Sequence, residues 1–195
     1  MDTSVHQRIA SEIARLPTGV QAHIEQVRRG AVELASLHGL DVASAELAAQ
    51  AHDICRLVPG VELIDMAGKL RLSVTALDRA VPVFLHGPVG AEVLRRDHGL
   101  DDEAVLNAVR YHTMGRDGMA PLEKLLFLAD KLDPSKVSRY PFITEVDRLA
   151  REDLDRAMLR FIDEQSRVFI EAGSVIHPGM NAARNDALLA LKGKG

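Results

Sequence analysis

Apolar residues recur at steps of three and four along nearly the whole chain, which is the spacing of an amphipathic helix. Val20, His23, Val27, Ala31 and Leu34 share one face of a segment bounded by Pro17 and Gly39. The spacing predicts another helix from Ser44 to Val58, striped by Leu47, Ala51, Ile54 and Val58, with Ala48 and Cys55 beside the stripe. Asp101-Asp102-Glu103 opens a third, where carboxylates meet the positive end of the helix dipole. Its inward side runs Val105, Ala108, Val109, His112. Leu122, Leu125, Leu126 and Ala129 repeat the pattern behind Pro121, a residue suited to a first helical turn. A long helix is predicted from Glu152 to Ala172, stopped by Gly173, and a shorter one near Asn181. Further breaks fall at Pro59-Gly60, Gly87-Pro88, Gly99, Gly115 to Gly118 and Pro134. Ala80 to Leu85 is the one run that could be a strand, and it reads as a buried connection. The pattern predicts an all-α protein with one helical bundle over 17–191. Residues 1–16 form a peripheral helix in this reading, and 192–195 a frayed tail.

Composition sharpens this picture. Aromatic residues are 4% of the chain and Trp is absent, so aliphatic side chains must build the core, as suits helix packing. The single cysteine, Cys55, excludes an internal disulfide and any multi-cysteine zinc site. It reads as a small core residue in a chain expected in a reducing cytoplasm. A net charge of −4 argues against general affinity for nucleic acid. No run approaches the roughly 20 apolar residues of a membrane span, and the first residues lack the pattern of a secretion signal. Arg110, Arg116, Lys124, Lys131, Lys136 and Arg139 give one segment a positive excess over Asp117, Glu123, Asp130 and Asp133, enough to hold a small phosphorylated molecule.

The candidate chemistry lies in the placement of histidines and two aspartates. His23, His52 and His112 each fall on or beside the apolar stripe of a different helix. Asp53 follows His52, Asp130 adjoins the inward Ala129, and His86 stands in Leu85-His86-Gly87-Pro88. One such histidine would read as a hydrogen-bonded core residue. Four of them with two acids in an aliphatic bundle point instead to a metal site, because an unpaired buried carboxylate costs several kcal/mol and facing helices build metal sites this way. A nitrogen and oxygen donor set without thiolate favours iron, manganese or another open-coordination divalent metal over structural zinc. His6, His38 and His98 occupy exposed-looking polar or turn positions and receive no role.

In order and spacing, His23, His52-Asp53 and Asp130 resemble the HD superfamily of metal-dependent phosphohydrolases, and His86 and His112 resemble its dinuclear subset. Three stretches are similar to the YqeK-like symmetrical diadenosine tetraphosphate hydrolases: Leu85 to Ala91, Ala108 to Arg116, and Leu122 to Pro134. Ile176-His177-Pro178 and Ala183-Arg184-Asn185 match the same family's terminal pattern, so the resemblance spans roughly residues 20 to 187. Gln26 and Arg56 depart from the family's usual basic residue and lysine at those positions.

The resemblance implies that His23, His52, Asp53 and Asp130 bind one metal and that Asp53, His86 and His112 bind a second, with Asp53 bridging. It implies iron, and a metal-bridging hydroxide that attacks a phosphorus of diadenosine tetraphosphate to give two ADP. Asp53, His86 and His112 would then be catalytic. Thr113, Gly115, Arg116, Lys131, His177 and Arg184 would contact substrate, with Gly115 and Gly118 letting the backbone approach the phosphates. The rival readings are an HD phosphohydrolase of another nucleotide, such as a deoxynucleotide or alarmone, and a non-catalytic metal-bound nucleotide sensor. A plain helical interaction domain is a third. The partner expected is a small dinucleoside polyphosphate, with no nucleic acid or membrane. The apolar stripes leave monomer and homodimer both open.

Overall fold

The computed structural model describes residues 3–132 and 137–193. In chain order the helices are α1 (Thr3–Ile13), α2 (Thr18–His38), α3 (Val42–Ala51), α4 (Gly60–Lys69) and α5 (Ala76–Ala80). A 3-10 turn, Pro82–Leu85, leads into α6 (His86–Asp97), α7 (Glu103–Tyr111) and α8 (Pro121–Lys131). Then come α9 (Phe142–Glu152), α10 (Leu154–Glu171) and α11 (Pro178–Gly193), and there is no strand among the described residues.

Aspartates set several of the starts. Asp41 accepts a hydrogen bond from the Ser44 amide, Asp102 from Ala104 and Val105, and Asp153 from Asp155 and Arg156. Such caps each contribute about 1 kcal/mol. Gly39 ends α2 in the left-handed conformation, at φ 63°, where a side chain would be strained.

The axis of the bundle is α8. Leu125, Leu126, Phe127 and Leu128 are fully buried on successive sides of it, the mark of a helix surrounded by others. Helices α2, α3, α7 and α10 all pack against it. On the far side, α9 and α11 pack on α10, and Phe127 meets Phe161 edge to face at 5.7 Å. The consequence for function is placement: α3, α7 and α8 bring their C-terminal ends, and α2 its N-terminal turns, to one region of the core, where α6 begins.

Several boundaries differ from the periodicity. The helix expected through Val58 ends at Ala51, and residues 52–57 continue in turns. Ile54, Arg56 and Val58 there bond carbonyls three residues back instead of four. Apolar spacing cannot separate these two geometries, since residues at three- and four-residue steps share a face in both. The long helix expected from Glu152 begins at Leu154, because Asp153 caps it and Glu152 closes α9. The last helix is longer than expected and takes in Lys192 and Gly193, while Lys194 and Gly195 lie outside the described residues, as does the break at Pro134. Helix α1 carries the fully buried Ile9 and packs on α3. His98, which reads as an exposed turn residue, is buried: its Nε2 lies 3.0 Å from Glu12, and its carbonyl accepts from Arg8. His38 bonds the Ala150 carbonyl at 2.6 Å. No described helix is long and apolar enough to cross a membrane.

Candidate metal centre and active site

Three of the histidines are presented by one local device. His52 follows α3 as its C-cap, His112 follows α7 in the same position, and His86 follows the 3-10 turn. Each ring donates its Nδ1–H to the carbonyl three residues back: Ala49 at 2.7 Å, Val109 at 2.7 Å and Val83 at 2.5 Å. For Ala49 and Val109 these bonds occupy carbonyls in the last turn of a helix, while the Val83 carbonyl also accepts the His86 backbone amide. The ring bonds also fix the tautomer, so that each Nε2 carries its lone pair toward the interior. The C-terminal, negative ends of α3 and α7 face the same region and favour a cation there, while α6 begins at His86.

The rings converge on Asp53, and its two carboxylate oxygens are divided between them. Oδ2 lies 3.4 Å from His52 Nε2 and 3.7 Å from His23 Nε2. Oδ1 lies 3.2 Å from His86 Nε2 and 3.7 Å from His112 Nε2. Asp130, at the C-terminal end of α8, closes the first group: its Oδ1 is 3.1 Å from His23 and 3.8 Å from His52. His23, His52 and Asp130 form one set of donor atoms mutually within 4.8 Å, and His52, Asp53 and His112 form another.

Two features of this cluster are unsatisfied as they stand. His52 Nε2 is buried and has no hydrogen-bond partner. His86 Nε2 and His112 Nε2 face each other at 3.0 Å although both Nδ1 atoms carry the proton, so two lone pairs are opposed unless a cation or proton lies between them. Thr113 Oγ1 stands 3.1 and 3.0 Å from these same nitrogens and can donate to only one of them.

The electrostatics agree with a cation centre. Burial works to raise the Asp53 carboxyl, but the imidazoles of His112, His52 and His86 hold it far below the usual range. Burial also opposes ionisation of Asp130, and Lys131 and His23 overcome it. Burial, aided by His86 and His52 and opposed by Asp53, pulls His112 down to about 4, so this ring is neutral and able to ligate at pH 7. His52 is raised despite its burial, by Asp53 and Asp130.

The cluster forms the floor of a cleft of about 660 Å³. Of the substrate contacts expected from sequence, Thr113 and Lys131 line it, and Arg56 joins them with Nε 4.0 Å from Asp53 Oδ2. Lys131 is held by Asp130 Oδ2 at 2.5 Å.

The remaining expected contacts are placed elsewhere. Arg116 is absent from the lining and grips buried Glu123 with two bonds of 2.8 and 2.7 Å, over the Tyr111 ring. Arg184 bonds Asp163 at 2.5 Å. Gly115, at φ 68°, seats α11 instead of opening the backbone to phosphates: a Cβ there would stand 2.9 Å from Ala183 Cβ. His177 faces Phe84 and Asp78, and Gln26 lines a separate cavity between α2, α8 and α9. The basic segment is likewise dispersed. Arg110 pairs with Glu92, Lys124 with Asp155, and Arg139 lies over Tyr140; Lys136 and Asp133 fall outside the described residues. Arg116→Ala is therefore expected to destabilise the fold by about 3 kcal/mol, since it strands the buried Glu123 carboxylate, with KM unchanged. Urea unfolding beside steady-state kinetics would measure both, and a raised KM at native stability would return Arg116 to the substrate.

Sequence reasoning missed the apolar part of the cleft lining, Val20, Leu57, Val83, Phe84 and Met114. Val20 read as part of the α2 stripe, and Val83 and Phe84 lay in the run from Ala80 to Leu85, too short to separate a core connection from a binding surface.

Known proteins resemble this chain over most of its length. The family model described as HD domain matches residues 20–135. A symmetrical bis(5'-nucleosyl)-tetraphosphatase of Bacillus subtilis is 37% identical over 76% of this chain and 77% of its own length. A protein of the same description from Halalkalibacterium halodurans is 34% identical over 87% and 89%. A crystal structure from Clostridium acetobutylicum, described as a predicted HD superfamily hydrolase involved in NAD metabolism, superposes with a TM-score of 0.89 at 29% identity, covering 95% of this chain and 97% of that one.

Proposed function

This chain belongs to the HD-domain family, and on that premise we propose that it hydrolyses diadenosine tetraphosphate symmetrically to two ADP. The observation that carries the reading is the divided Asp53 carboxylate, with one oxygen toward His23 and His52 and the other toward His86 and His112. A carboxylate divided in this way can be shared by two neighbouring cations. The residues fit the pair: the orphaned His52 Nε2 and the opposed lone pairs of His86 and His112 both gain a partner when ions bind.

His23, His52, Asp53 and Asp130 would hold one ion, and Asp53, His86 and His112 the other. Iron suits a donor set made only of nitrogen and oxygen, with manganese or another divalent metal as the alternative. Two ions bound here supply Lewis acidity and an acidified water beside the phosphates.

The chain's own groups do the positioning that phosphoryl transfer demands. Lys131, fixed by Asp130, and Arg56 at the rim set positive charge along the cleft for the non-bridging oxygens. The Thr113 hydroxyl holds a proton beside the two imidazoles. One water is consumed, the central P–O–P linkage breaks, and each half leaves as ADP.

Incubating the iron-loaded protein with diadenosine tetraphosphate and resolving the products by ion exchange tests this reading. ADP is expected as the sole early product. AMP with ATP would reject symmetrical cleavage. No turnover in a sample holding two metals per chain would overturn the substrate in favour of another nucleotide, such as a deoxynucleotide or alarmone.

A further inference from the structure

The cleft has two chemically distinct parts. Its floor is the histidine and aspartate cluster with Lys131 and Arg56, suited to phosphate. Val20, Leu57, Val83, Phe84 and Met114 form the cleft's apolar lining, in which Phe84 is the one phenyl or phenol ring among the described residues. An apolar lining has nothing to offer a tetraphosphate, whereas a purine carries a flat π-face that needs such a surface. Leu57, in the same lining, is 53% exposed, a large aliphatic side chain left in water beside a polar site.

Phe84 is half-buried and lines the cleft. His177 packs against it edge to face, with centroids 5.3 Å apart and planes at 78°. That geometry leaves at least one face of the phenyl ring uncovered by the imidazole. His177 is itself anchored: its Nδ1 accepts from the Gly179 amide at 3.0 Å, so the proton sits on Nε2, 4.0 Å from Asp78 Oδ1. Backbone geometry fixes the span to the cluster. Phe84 lies in the short 3-10 turn between Val83, whose carbonyl orients the His86 ring, and His86 itself. A ring bound on Phe84 is thus held at a set distance from Asp53.

We propose that Phe84 is the stacking surface for one adenine of the substrate, so that the cleft recognises a base and its phosphates at a fixed separation. The inference rests on reading the cleft as a nucleotide site, and its test is separable from that of the reaction. The chain contains no tryptophan, so Phe84→Trp introduces the sole indole. In the metal-loaded variant, ADP is expected to quench its emission saturably, while inorganic pyrophosphate, which shares the phosphates and lacks the base, leaves it unchanged. Titration calorimetry of Phe84→Ala should give ADP binding weaker by about five-fold or more, the lower end for losing a base–aromatic stack, with pyrophosphate affinity as in the native protein. Equal quenching by ADP and pyrophosphate, or native ADP affinity in Phe84→Ala, would overturn the proposal. Base-dependent quenching in a protein that fails to cleave diadenosine tetraphosphate would uphold the stacking surface and reject only the assigned reaction.

Discussion

Asp53→Asn is expected to remove both metals' shared ligand at once, abolishing measurable turnover while the helices stay folded. Asparagine keeps the shape of the side chain and one carbonyl oxygen, so the packing around the site survives. What it loses is the charge and the second acceptor oxygen. In the native protein Oδ1 serves His86 and His112 while Oδ2 serves His52 and His23, and one amide cannot replace both oxygens. The fall in activity should exceed the roughly 10- to 100-fold typical when a group one step removed from a metal is changed. Metal analysis gives the sharper readout. Asp53→Asn should lose metal from both sites, whereas His23→Ala, which touches only one group, should leave the second ion in place. Chelation should lower Tm in the native protein, because ions that bind only the folded state stabilise it, and the shift should be small in Asp53→Asn. Two tightly held metals in Asp53→Asn would rule out the bridge.

The same pair of variants separates the rival readings. A sensor that uses metal structurally predicts loss of stability with Asp53→Asn and no turnover to lose. A plain interaction domain, with the histidines paired among themselves, predicts neither bound metal nor a response to chelator. The orphaned His52 Nε2 already weighs against the last, because self-paired imidazoles would not leave that nitrogen without a partner.

Legibility in the sequence followed the range of the physics. Helical periodicity is local, so the helices could be read, and the inward side of His23, His52 and His112 came with them. The site's ligand types could be read because a buried acid or imidazole in an aliphatic stripe is costly wherever it falls. What could not be read was anything decided by a partner on another element. Arg116 sits in a basic-looking loop, yet Glu123 claims it; Arg184 is claimed by Asp163, and His98 by Glu12 on a helix 86 residues earlier. Long charged side chains search a wide radius, and only the tertiary packing says which carboxylate lies within it. The turn ending α3 was hidden for another reason. His52 Nδ1 takes the Ala49 carbonyl, and a side chain capping its own helix leaves no mark in the apolar spacing.

Gly87→Ala is expected to damage the centre without altering any ligand. A Cβ at this position would stand 2.9 Å from the Arg110 carbonyl oxygen and 3.0 Å from that of Val109. Both are backbone atoms of the α7 segment and cannot swing aside, so α6 must shift away from α7 by a few tenths of an ångström. The two histidines of the second metal group sit on either side of that contact. His86 is the residue before Gly87, and the Val109 carbonyl that would be struck is the one that orients His112. Overpacking of this kind costs about 1–3 kcal/mol, and displaced ligands should lower kcat/KM by about ten- to a hundred-fold. Gly68→Ala serves as the matched control, since nothing lies within 4 Å of its Cβ; helix propensity there should raise stability by up to about 1 kcal/mol. Thermal unfolding, kinetics and metal content of both variants decide the matter. A Gly87→Ala protein with native Tm and native turnover would mean that the close approach of α6 to α7 does not hold the second site together.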